Sequence, residues 1–117
     1  MAARLTAAQR MLREVTEADW QNIVINIGRL NGWSVYWPPP NRPGRNGAVW
    51  AITAGWPDLA FVREGEFFMA ELKRELGHVT EEQDEWIRLL RSAGVECYVW
   101  RPSDEKQVRE RLGRKRL

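Results

Sequence analysis

The stretch Gly55-Trp56-Pro57-Asp58-Leu59-Ala60-Phe61-Val62, Arg63-Glu64-Gly65-Glu66, Phe67-Phe68-Met69-Ala70-Glu71-Leu72-Lys73 reads as two apolar runs of strand length joined by a polar turn. Folded as a hairpin, it sets Asp58 and Glu71 on neighbouring strands, roughly 5 Å apart in the pairing direction. Side chains alternate along a strand, so Glu71 and Lys73 share one face while Leu72 points to the other. Two carboxylates and an ammonium then converge at one end of the sheet, a set that suits a divalent cation and a phosphodiester. The competing reading is an ordinary hairpin with charged ends. The letters alone are a weak motif, and their placement at the ends of two apolar runs is what favours a site.

Working outward, Thr16 is an N-cap with Asp19 three residues on, and Trp20, Ile23, Val24, Ile27 and Leu30 recur at helical spacing until Asn31-Gly32. Glu17 projects from the first turn of that apolar face, an odd place for an acid unless something needs it. Residues 6–14 predict a short helix with a weak apolar stripe, and residues 1–15 are read as an N-terminal extension to a domain spanning 16–117. A short strand over 33–37 ends at Pro38-Pro39-Pro40, and residues 41–54 read as a loop, of a length that is usually functional or mobile. Downstream, Thr80 with Gln83 spells a capping box. Trp86, Ile87, Leu89, Leu90 and Ala93 then predict an amphipathic helix stopped by Gly94. Gln83 lies on the inward face, where it either caps the helix or hydrogen-bonds the site. Residues 95–100 predict a strand parallel to the one ending at Lys73, through a right-handed crossover. Ser103 or Asp104 caps a last helix through Leu112. The expected fold is α/β, with a small mixed sheet in the order helix, three strands, helix, strand, helix.

The 117 residues make one domain that needs no staples. Cys97 is the single cysteine, which excludes an internal disulfide and a cysteine-based zinc site, and a reducing cytoplasm is expected. No apolar run reaches membrane length and no signal peptide is evident. A net charge of +2 is too small to establish a nucleic-acid partner, but Arg109, Arg111, Arg114, Lys115 and Arg116 form a basic end able to neutralise phosphates. Basic residues comprise 15 Arg and 3 Lys, which makes the lysine beside Glu71 less incidental. Trp20, Trp33, Trp86 and Trp100 fall on apolar faces, leaving Trp37, Trp50 and Trp56 as candidates for DNA or partner contact. His78, alone in a loop, reads as solvent-facing. No serine sits in a nucleophile elbow, and Gly44, Gly47 and Gly55 lack the spacing of a phosphate-binding loop.

Pro-Asp entering one strand and Glu-x-Lys leaving the next resembles the core of the PD-(D/E)xK nuclease superfamily. More narrowly, Thr16-Glu17, Gly55-Trp56-Pro57-Asp58, Glu71-Leu72-Lys73, Thr80 with Gln83, and Gly94-Val95 resemble the VRR-NUC (virus-type replication-repair nuclease) family over residues 16–112. The single-domain form is similar to phage and prophage members. The resemblance implies a restriction-endonuclease-like core and a divalent-metal endonuclease. Asp58, Glu71 and the Leu72 carbonyl would hold Mg²⁺ or Mn²⁺, and Glu17 would reach it through water or hold a second ion. Lys73 would stabilise charge on the phosphate, since a free lysine is charged at neutral pH, and Gln83 would orient Lys73 or the attacking water. Arg42, Arg45, Trp50, Arg74, Arg114, Lys115 and Arg116 are the residues expected to contact DNA. The resemblance further implies branched DNA, such as a four-way (Holliday) junction, cut by a homodimer. Two alternatives stay open: a less selective nickase or flap nuclease with the same site, and a non-catalytic DNA-binding or assembly module that keeps the fold.

Overall fold

A computed structural model of the chain describes residues 4–38 and 54–114. The elements run α1 (Ala7–Glu14), α2 (Glu17–Leu30), β1 (Ser34–Tyr36), β2 (Leu59–Arg63), β3 (Glu66–Leu72), α3 (Glu81–Ser92), β4 (Cys97–Trp100), a 3₁₀ turn (Pro102–Asp104) and α4 (Glu105–Gly113). The four strands lie in the order β1-β2-β3-β4. β1, β2 and β3 are antiparallel neighbours and β4 joins β3 in parallel, which is the α/β architecture with a small mixed sheet expected from the hydrophobic pattern. No described helix is long and apolar enough to cross a membrane.

The register explains the two faces. Leu59 pairs with Ala70 and Phe61 with Phe68, so Leu59, Phe61, Phe68, Ala70 and Leu72 all point to one side. There they meet Trp20, Val24 and Ile27 of α2 and Val108 and Leu112 of α4. The rings of Phe61 and Phe68 stack 4.6 Å apart, with Trp33 edge-on to both. Two buried indoles find acceptors at element ends: Trp20 Nε1 donates to the Trp100 carbonyl (3.0 Å) and Trp33 Nε1 to the Leu112 carbonyl (2.9 Å). The opposite face carries a smaller cluster, Met69 and Cys97 under Ile87 of α3. Glu71 continues the row begun by Met69 on that second face.

Two helical faces differ from the sequence expectation. Leu30 is 86% exposed, whereas Ile25 is buried. The buried arc of α2 is rotated toward Gly28, whose Cβ, if present, would lie 3.0 Å from the Phe61 ring. Close approach of helix and sheet at a glycine is invisible to a count of apolar letters, and it moves Leu30 off the seam. On α3, Leu89 is 43% exposed and Ala93 is exposed too. The inward arc runs instead through Gln83, Trp86, Ile87 and Leu90, and only Ile87 is fully buried.

Caps fare better. Thr6 and Thr80 each form a reciprocal capping box, with Gln9 and Gln83 respectively, and Thr16 Oγ1 accepts from the Asp19 N–H at 3.1 Å. Asp104 occupies the N-cap position of α4 but makes no side-chain cap. Its carboxylate accepts the Arg101 N–H instead, at 2.8 Å. The helix α1 buries no side chain of its own, although Val15 beyond it packs on the main core.

Candidate metal centre

The site lies where β2 begins and β3 ends. Asp58 immediately precedes Leu59, and Glu71 is the penultimate residue of β3, so the register that pairs Leu59 with Ala70 sets the two acids side by side. One Asp58 oxygen, Oδ2, accepts the Leu72 N–H at 2.8 Å, which fixes the carboxylate against the strand. Glu17, the first residue of α2, comes over the end of the sheet from the other layer. Oxygen atoms of Glu17, Asp58 and Glu71 lie within 4.8 Å of one another. The three acids differ in exposure: Glu17 is open to solvent, Asp58 half-buried and Glu71 only 1% exposed.

Glu71 is the centre of the arrangement. Its Oε1 accepts from Gln83 Nε2 at 2.8 Å and lies 3.9 Å from Lys73 Nζ. Its Oε2 is buried and faces no hydrogen-bond donor. A carboxylate oxygen without a partner in the interior is costly. A proton shared with Asp58, an ordered water or a cation would satisfy it. Burial first, then the charge of Asp58 and a hydrogen bond with its carboxyl, push Glu71 up to about 9 against the pull of Lys73. Glu17 is raised as well, by burial and by Asp58, with Lys73 and Arg74 acting in the opposite sense. Three crowded acids with one orphaned oxygen fit a hard divalent cation such as Mg²⁺ or Mn²⁺.

Gln83 fills both roles that its sequence position left open. Its Oε1 accepts the Thr80 N–H at 2.9 Å, closing the capping box, while its Nε2 reaches Glu71. One side chain therefore ties the start of α3 to the buried acid. The segment before Asp58 is tied to the same helix end. Gly55, at φ +88°, packs so tightly that a Cβ there would sit 2.5 Å from the Glu82 carbonyl carbon and 2.7 Å from the Gln83 nitrogen. Next to it, Trp86 Nε1 donates to the Ala54 carbonyl at 3.0 Å, and the Trp86 and Trp56 rings meet edge to face at 4.9 Å. Trp56 remains 37% exposed, so part of its ring packs and part faces outward. Trp37, exposed to a similar degree, lies under the Arg29 guanidinium at 5.3 Å.

The remaining expected site residues are spread. Leu72 is buried on the core side with its N–H committed to Asp58. Lys73 leaves the sheet with its N–H donated to the Trp100 carbonyl at 3.0 Å. Arg74 is exposed beside the acids, close enough for its charge to act on Glu17. Arg114 sits at the other end of the sheet, where its carbonyl accepts from Arg63, the last residue of β2. Arg42, Arg45, Trp50, Lys115 and Arg116 lie outside the described residues. His78 is exposed. Gly55 and Trp86 as a latch, and Arg101 beneath the turn after Lys73, are contributions that sequence reasoning missed; the glycine next to Trp-Pro-Asp was the one available signal.

The chain matches no family model, no curated protein and no solved structure.

Proposed function

We propose that this protein is a divalent-metal-dependent DNA endonuclease with a PD-(D/E)xK-type core. The observation that carries the reading is the convergence of Glu17, Asp58 and Glu71 within 4.8 Å, with an unpartnered buried oxygen on Glu71. These three acids would hold Mg²⁺ or Mn²⁺, and the bound ion would polarise a scissile phosphate and lower the pKa of a coordinated water. The chain's own residues divide the rest of the work. Leu72 N–H and Gln83 Nε2 hold Asp58 and Glu71 in place. Lys73, 3.9 Å from Glu71, presents an ammonium that would stabilise charge developing on the phosphate. Arg74, exposed on the same rim, would grip a neighbouring phosphate. The resemblance in the motifs extends the reading to branched DNA cut by a homodimer, and the single cysteine fits a reducing cytoplasm.

The test is cleavage of a labelled four-way junction beside a flap and a plain duplex, with Mg²⁺, Mn²⁺ or chelator. Lys73→Ala should reduce turnover by about 100-fold or more while leaving DNA binding within a few-fold, because a transition-state contact is lost rather than a docking surface. Undiminished turnover in Lys73→Ala would remove that residue from the mechanism. Equal cutting of all three substrates would leave a general nuclease without junction preference, and DNA binding with no metal-dependent product would leave a binding module.

A further inference from the structure

The turn that follows Lys73 is held from beneath by a residue far away in sequence. Arg101 Nη1 lies 2.8 Å from the Arg74 carbonyl, 3.2 Å from that of Glu75 and 2.7 Å from that of Gly77. That amino group carries two hydrogens, so three main-chain oxygens share them around one cationic nitrogen. The neighbouring residues reinforce the seam: the Ser103 N–H donates to Glu75 Oε1 at 3.1 Å, and Asp104 Oδ2 accepts the Arg101 N–H. Apolar packing does little here, since Leu76 is 58% exposed. The path of the chain out of the site is therefore set by a guanidinium and a few polar bonds from the β4–α4 junction.

We propose that Arg101 is a positioning residue, which holds the 74–77 turn so that Lys73 and Arg74 face the carboxylate cluster; this rests on the nuclease reading above. Its own contacts at Nη1 are with main-chain carbonyls, so it acts through Lys73 and Arg74 and not on the reacting atoms. An ammonium carries three donors for three carbonyls, so Arg101→Lys retains the chemistry of the clamp, whereas Arg101→Met keeps only the aliphatic stem.

The experiment compares parent, Arg101→Met and Arg101→Lys in Mn²⁺-dependent cleavage of the labelled junction, with Tm and amide hydrogen exchange measured on each. Arg101→Met is expected to lose about tenfold or more in kcat, with KM within about threefold of the parent, because small misplacements of catalytic groups act on the chemical step. Arg101→Lys is expected to recover most of that loss. A residue that serves only the fold would lower Tm and leave the kcat of the folded protein unchanged. Full kcat in Arg101→Met, or equal impairment of Met and Lys variants, would overturn the proposal. If the parent itself cuts nothing, the nuclease reading fails, and exchange then judges the clamp alone. Faster exchange across 74–77 in the Met variant, with α2 unaffected and Lys restoring protection, would sustain the clamp; identical protection in all three would overturn it.

Discussion

Glu71 carries the chemical tension of the molecule. It is buried, shares an edge with Asp58, and has one oxygen with no donor. Its folded pKa is raised above the ordinary carboxylate value to about 9, so the folded metal-free protein holds a proton there that the unfolded chain has released. Between these two values the native state binds more protons, and stability therefore falls as pH rises. Glu71→Gln keeps the shape and removes the titration. Thermal melts of the metal-free protein should show the parent losing Tm from pH 5 toward pH 9 and the variant losing less. At pH 8 the variant should be the more stable by about 4 °C for each kcal/mol of relief. Equal slopes would show that Glu71 is not the titrating group. Asp58, Glu71 and Lys73 were legible as a set because strand alternation and hairpin register follow from the letters. The orphaned oxygen was not, because it depends on which donors fail to arrive.

At the level of elements, the site is a junction of four pieces: the start of α2, the entry to β2, the end of β3 and the first turn of α3. Gly55 sets the spacing between the entry to β2 and α3. Gly55→Ala would need a left-handed residue and would drive a methyl into the backbone of Glu82 and Gln83. A loss of about 1–3 kcal/mol in urea unfolding is expected, together with a weakened Gln83–Glu71 contact. A variant as stable as the parent would show that this approach is loose in solution. A second polar seam joins α4 to the sheet: Arg111, over the Phe68 ring at 4.4 Å, pairs with Glu96 at 2.6 Å. Arg111 and Tyr98 lower the Glu96 pKa, chiefly through hydrogen bonds. That pair supports the fold above the unfolded carboxylate value, and its contribution is lost as pH falls through the lower folded value. Glu96→Gln should therefore flatten the acid side of the stability profile in thermal melts, and an unchanged acid limb would exclude the pair as its source. The Thr16 and Thr80 caps and the strand periods were readable in the sequence. The rotation of α2 was not, because Gly28 is silent on any hydrophobic scale while it decides how closely helix and sheet approach.

At the scale of the whole molecule, the charge of the described residues is arranged unevenly about the sheet. Arg74 stands beside the acids, whereas the Arg114 carbonyl is tied to Arg63 one strand length away, roughly 17 Å along β2. On the nuclease reading proposed above, Arg74 and not Arg114 is the described arginine expected to contact DNA beside the acids. Arg74→Glu is expected to weaken DNA binding by about tenfold at low salt and to flatten its salt dependence, while Arg114→Glu changes the cleavage rate by less than about twofold. Comparable losses from both would mean that DNA spans the full length of the sheet. The basic end of the sequence was conspicuous, but the distance of Arg114 from the acids depends on where α4 ends, which composition does not reveal. The most direct measurement is cleavage of the labelled four-way junction by the parent and by Asp58→Ala, with Mg²⁺ and with chelator. Metal-dependent products from the parent and none from the variant are the predicted result. Intact DNA under every condition, or products that persist in chelator or in Asp58→Ala, would contradict the assignment of these carboxylates as a nuclease centre.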